Sequence, residues 1–292
     1  MSYSKQLTIE QTNVLLRRKE IGGKVQKATA WAFIAIMLLI MYLPILYLVV
    51  YSFTDSNLIG QWTNTNVESF IRLFSSDYPA SVEIWTAAWN TIWIALVAST
   101  LSTILGTVGA IGMHFLGKKL QAVFNFGTQI PIVNAEIVMA LSLCILFAFI
   151  GMETNPFSLI IGHIVLTIPF VVINVQPKLQ QMDQSLYEAA MDLGASRSGA
   201  LFKVMVPELI PGILSGFMIS MTLSLDDYVI TEFTKPANGN DFQTISTYVQ
   251  GLLSRSSLPI QLRSFTTLLF IAILAVMIVF TIVSVKKDKI KK

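Results

Sequence analysis

Charge is scarce in this sequence. Asp, Glu, Lys and Arg make up 13% of its 292 residues against 54% hydrophobic ones, and the mean hydropathy is +0.66. Soluble domains carry about 25% charged residues, so a water-soluble globule is excluded. A single cysteine, Cys144, sits inside an apolar run, which rules out a disulfide framework. Only two histidines occur, and neither stands in an H-E-x-x-H spacing. His114 reads as interfacial, and His163, within an apolar run, as a hydrogen-bonding residue between packed helices. Gly112 to Lys118 satisfies G-x-x-x-x-G-K, but Lys119 occupies the position of the magnesium-binding Ser or Thr and no strand precedes it. That match is coincidental. Repeats and low-complexity segments are also lacking.

What is present is length of apolar run. Six runs cover Ala28–Tyr51, Ala87–Met113, Thr128–Ile150, Phe157–Val175, Glu208–Ile230 and Phe265–Val285. Each approaches or exceeds the roughly 20 residues that cross a bilayer as a helix. Only helices and closed barrels satisfy backbone polar groups in lipid, and these runs are too long and too unalternating for barrel strands. The sequence predicts an all-α integral membrane protein with six transmembrane helices. The first run, followed by Pro44, Tyr47 and Tyr51 rather than a small-residue cleavage site, reads as a retained anchor.

The cations divide unequally between the connections. Sixteen Lys and Arg fall in residues 1–27, at Lys118 and Lys119, at Lys178, Arg197 and Lys203, and after Val285, whereas Arg72, Lys235, Arg255 and Arg263 lie in the alternate set. By the positive-inside rule both termini are cytoplasmic. The net charge of +3 is therefore topological and no nucleic-acid footprint. Residues 1–27 are expected as a flexible tail, 28–285 as the membrane domain and 286–292 as a basic tail. The long outer connections Ser52–Thr86 and Thr231–Ser264 carry aromatics such as Trp62 and Phe242, and are expected to fold against the membrane and face an external partner.

One polar island interrupts the apolar pattern, at Gln176–Pro207. Ser185 and Glu188 have capping-box spacing, which predicts a short helix running through Leu193. Gly194 suits a left-handed helix end, Ser196 to Ser198 a cap for a second short helix, and Pro207 the first turn of the next span.

Glu188-Ala189-Ala190, three residues, Gly194, nine residues, then Val204-Met205-Val206-Pro207 resembles the EAA loop of binding-protein-dependent ABC importer permeases. The segments Pro131–Leu143, His163–Val172 and Leu223–Asp227 resemble the spermidine/putrescine-type permeases of that family. The resemblance implies a MetI-like permease fold in the cell membrane, with 176–207 as coupling loop. Glu188, Ala189, Ala190, Asp192, Gly194 and Pro207 would then contact a separate ATPase homodimer. It also implies a second, different permease chain and an extracytoplasmic binding protein. ATP and magnesium would belong to the ATPase, so this chain would be non-catalytic and hold no cofactor. Two alternatives stay open: a permease for another small solute, and a stand-alone secondary transporter, although no inverted repeat supports the latter.

For a cationic cargo the acids within the spans are the candidates. Asp226 and Asp227, with Tyr228 and Ser224 nearby, lie toward the outer end of the fifth run, where Ser220 would extend the polar stripe. Successive helix residues point about 100° apart, so the two acids form no protease dyad, and one is expected to face the pathway while the other turns to a neighbouring helix. Glu136 is expected about 12 Å into the third span, facing protein or water because a buried carboxylate is costly in lipid.

Overall fold

The computed structural model describes residues 9–54, 56, 62–236, 242–254 and 258–290. Helices account for nearly all regular structure, and the only pairing outside them among the described residues is a single antiparallel bridge, Thr54 to Thr65. Five helices are long and apolar enough to cross a membrane, or six if one sharply bent pair counts as a span. The chain divides into two compact units, Tyr78–Leu258 and the residues on either side of it.

The outer unit contains α1 (Ile9–Tyr51), α2 (Glu68–Leu73) and α12 (Ile260–Ile290). α1 starts well before the apolar run, so the expected flexible tail is helical from Ile9. Its apolar portion is exposed over most of its length, as Trp31, Phe33 and Leu39 show, which is how a lipid-facing helix reads. Of the connection after it, Ser69 Oγ donates to the Ser52 carbonyl at 2.9 Å, and Arg263 of α12 donates to the Ser56 carbonyl at 2.9 Å.

The central unit is built on α3 (Pro79–His114), α6 (Pro156–Gln181) and α9 (Val206–Asp226). These three pack together through Ala110, Val171, Val175 and Leu209. Small residues allow the approach: a Cβ on Gly106 would stand 2.8 Å from Val171 Cβ. Polar links also join them, such as Ser102 Oγ to Thr167 Oγ1 at 2.6 Å between α3 and α6. α6 begins where the side chain of Asn155 accepts from Phe157 and Ser158 N–H groups, with Pro156 in the first turn.

The third apolar run is not one helix. α4 (Lys118–Val133) and α5 (Glu136–Phe149) meet at 105°, with Asn134 and Ala135 both extended. Thr128–Ile150 therefore breaks where polar residues interrupt it. The fifth run breaks too: α9 stops at Asp226, Asp227 is extended, and a separate α10 (Val229–Thr234) follows. α5, α6 and α10 share a second apolar cluster that includes Ala140, Phe147, Leu166 and Ile230. Beyond α10, α11 (Ile245–Ser254) returns onto α3, where the Ile245 N–H donates to Thr91 Oγ1 at 2.9 Å.

The polar island forms α7 (Gln184–Asp192) and α8 (Arg197–Ala200). A π-helical turn, Leu201–Met205, joins α8 to α9, so that Arg197–Asp226 is a continuous 30-residue helical path. The coincidental G-x-x-x-x-G-K falls on the helix-to-helix turn before α4.

Candidate functional site: an acid-lined cavity and an exposed loop

The two helix breaks meet. A cavity of about 320 Å³ is lined by Pro131, Ile132 and Asn134 on one side of the α4–α5 break and by Glu136 and Met139 on the other. Leu166 and Phe170 of α6 form a wall, and Leu223, Asp226, Asp227, Tyr228 and Val229 of the α9–α10 break complete it. None of these lining residues is basic. Three carboxyls thus converge on one space. The C-terminal end of α9 adds the negative pole of its backbone dipoles at Asp226. Walls of Leu, Met and Phe make the space apolar between its charges. Such a lining favours a cation with an aliphatic body.

Several sequence expectations need correction. Glu136 is not at mid-helix in a straight span: it is the first residue of α5, directly after the break. Asp226 and Asp227 do not follow each other on one helix, because the backbone turns extended at Asp227. The two carboxyls nevertheless differ in their surroundings, although both line the cavity. Asp226 is exposed, whereas Asp227 is buried and caps α10, its carboxylate accepting from the N–H groups of Ile230 at 3.1 Å and Thr231 at 2.8 Å and from the Thr231 hydroxyl at 2.7 Å. Ser224 does not line the cavity; it is buried against α6, its Oγ 2.8 Å from His163 Nδ1. Ser220 is buried without a hydrogen-bond partner and extends no polar stripe into the cavity. Tyr228, as expected, stands beside the acids.

Sequence reasoning missed the breaks, Asn134 in the lining and the second partner of His163. The available signal was Asn134-x-Glu136, two polar residues inside an apolar run. His163 bonds Ser224 and also Thr231 Oγ1, at 3.0 Å, so its reading as a helix-packing residue stands.

The polar loop is built for exposure. α7 is capped by Asp183 rather than Ser185: the Asp183 carboxylate accepts from the Ser185 N–H at 2.9 Å, and that bond holds the carboxyl below the usual carboxylate range. The other end closes with Gly194 at φ +90, the Ala195 N–H bonding the Ala190 carbonyl at 3.0 Å and the Gly194 N–H bonding Met191 at 2.9 Å. This double closure is the Schellman motif, which needs a left-handed residue at that position. Ser196 caps α8 as expected, accepting from the Gly199 N–H at 3.1 Å. Tyr187 anchors α7 inward against Phe115, ring centroids 5.7 Å apart. Glu188, Ala189 and Asp192 are exposed, as are Leu186, Leu193 (89%) and Phe202 (67%). Pro207 lies exposed in the first turn of α9.

Comparison with known proteins agrees with this geometry. Residues 102–286 match the family described as the binding-protein-dependent transport system inner membrane component. The spermidine/putrescine transport system permease protein PotC of Haemophilus influenzae is 29% identical over 260 residues, 88% of this chain and 96% of the relative. The putrescine transport system permease protein PotI of Escherichia coli K12 is 30% identical over 200 residues, 66% of this chain and 69% of the relative. Among solved structures, a chain of a bacterial ABC transporter involved in the import of the acidic polysaccharide alginate has the same fold, with a TM-score of 0.61 at 17% identity over 92% of this chain and 97% of its own. Match and geometry together show that this multi-pass membrane chain belongs to the inner membrane components of binding-protein-dependent transport systems.

Proposed function

We propose that this chain is a membrane-spanning permease subunit of an ATP-driven importer of polyamines such as spermidine and putrescine. One observation carries the cargo assignment: Glu136, Asp226 and Asp227 line a single cavity that has apolar walls and no basic lining residue. A polyamine pairs separated ammonium groups with a methylene chain, and that lining offers a partner to both parts. The names of the relatives point to the same cargo. Asp226 and Glu136 handle the ammonium groups, with Tyr228 beside them for a cation–π or hydroxyl contact, while Asp227 keeps the break in shape. On this reading the bent pair α4–α5 is one span, which brings the count to six, and the Lys and Arg distribution supports cytoplasmic termini and a cytoplasmic α7.

Hydrolysis of ATP takes place on a separate pair of ATPase subunits, which receive Glu188, Ala189, Ala190, Asp192 and Gly194 on the exposed face of the loop. A second permease chain completes the pathway, and an external binding protein delivers the cargo. Closure of the ATPases on ATP moves the loop and turns the pathway outward. The test is uptake by the reconstituted importer carrying Asp226→Asn. Loss of one of three converging charges raises the apparent KM for putrescine about tenfold, whereas uptake of an uncharged solute does not respond. An unchanged KM in Asp226→Asn and in Asp226→Asn with Glu136→Gln refutes the cargo assignment.

A further inference from the structure

The transport reading leaves His163 without a role. Its side chain is fully buried on α6 and does not line the cavity. Its ring bridges the α9–α10 break, with Nδ1 2.8 Å from Ser224 Oγ near the end of α9 and Nε2 3.0 Å from Thr231 Oγ1 in α10. With the ring neutral, only one direction of these bonds is consistent. Thr231 has a single hydroxyl proton, and it goes to Asp227 Oδ2 at 2.7 Å. Nε2 must therefore carry the ring proton and donate to Thr231, while Nδ1 accepts from Ser224. The result is a one-way row, Ser224 to His163 to Thr231 to Asp227, in which every hydroxyl or ring proton has one acceptor.

That row ends on the residue around which the break turns. Asp227 has no helical backbone bonds to hold it, being extended at φ −62 and ψ 130. It is fixed by its own cap on α10, by Ser246 Oγ of α11 donating to its carbonyl at 2.7 Å, and by the row from His163. Asp226 and Tyr228 flank it in sequence and inherit its position. We infer that His163 is a positioning residue for cargo binding, which ties α9 to α10 and thereby aims Asp226 and Tyr228 into the cavity without touching cargo. The inference rests on the polyamine reading of that cavity.

Full importer carrying variants of this chain tests it by putrescine uptake, with assembled complex quantified in parallel. His163→Phe raises the apparent KM about tenfold while the maximal rate per assembled complex is retained, since small misplacements of binding groups are costly. His163→Gln extends an amide to the position of Nε2, restores the bond to Thr231 and brings KM back. His163→Asn reaches only the Nδ1 position and does not. Thr231→Val, of the same shape, cuts the row at its last link and reproduces the KM of His163→Phe. Loss of packing alone lowers the amount of complex and does not distinguish Gln from Asn. Equal KM for the Gln and Asn variants, or an unchanged KM in Thr231→Val, overturns the inference; should His163→Phe fail to assemble, those two comparisons decide. If Asp226→Asn also leaves KM unchanged, the cargo reading itself fails, whereas a response in Asp226→Asn without one in the His163 set removes only the positioning role.

Discussion

Gly162 precedes His163 on α6 and faces α10. A Cβ built there would stand 2.8 Å from Ile230 Cγ2, 3.1 Å from Thr234 Oγ1 and 3.2 Å from Thr234 Cγ2. The first contact is about 0.6 Å short of the 3.4 Å at which ordinary contact begins. Ile230 and Thr234 are both fully buried, so neither has room to give, and α10 must move away from α6 or the site must absorb the strain. Overpacking of this kind costs about 1–3 kcal/mol. Alanine is also a better helix former than glycine by about 1 kcal/mol, which offsets part of that cost. Gly109→Ala supplies the control, because a Cβ on Gly109 of α3 meets nothing within 4 Å. Both variants share the gain in propensity, so the difference between them isolates the clash, about 1–3 kcal/mol. The thermal midpoint of the assembled complex in detergent is expected to fall for Gly162→Ala relative to Gly109→Ala. The KM for putrescine should rise in the same variant, since α10 carries the cap of Asp227. Indistinguishable melting and KM for the two alanine variants would refute the packing argument.

Two further outcomes are expected in the loop. Gly194→Val places a β-branched residue at φ +90, a conformation that costs non-glycine residues about 1–2 kcal/mol or more, so the Schellman closure distorts. Together with Glu188→Lys it should leave insertion intact but abolish transport and cargo-stimulated ATP hydrolysis; normal transport by both variants rejects the coupling role. Asp183 supplies a pH signature. Its carboxyl is depressed in the folded state by the hydrogen bond from Ser185, so its contribution to α7 is present above the unfolded value of about 3.9 and disappears as pH falls through the folded value. Hydrogen-exchange protection at the Ser185 amide, corrected for intrinsic rate, should hold at neutral pH and drop only in acid below about pH 4. Asp183→Asn keeps an acceptor and should remove that acid step; a loss of protection near neutrality contradicts the assignment.

The loop was legible because its signals are local. Gly194, Ser196 and Pro207 each act within one turn of their own position, and the spacing from Glu188 to Pro207 survives whatever surrounds it. The cap of α7 was misread by two residues, since Asp183 and Ser185 both suit a helix start and only the backbone geometry chooses between them. The broken spans were illegible for a different reason. Hydropathy averages over a window as wide as the membrane, and Val133-Asn134-Ala135-Glu136 is too short to lower it. The bend depends on what Asn134 and Glu136 face, which is a property of α6 and α9 and not of their own segment. Doubling of acids at Asp226-Asp227 carried the same message in the fifth run: Asp227 terminates one helix and caps the next.

The uninterrupted helical path from Arg197 to Asp226 has a mechanical consequence. Its 30 residues measure about 45 Å at 1.5 Å per residue, so the exposed turn at α8 and the acid at the far end belong to one rod. A tilt of about 5° about one end sweeps the other through roughly 4 Å, as far as a carboxylate must travel to exchange a direct ammonium contact for a water. A π-helical turn at Leu201–Met205 lies within that rod, where the backbone bonds lengthen from the i→i−4 pattern. Any stroke that the proposed coupling would deliver to Asp226 therefore passes through these five residues.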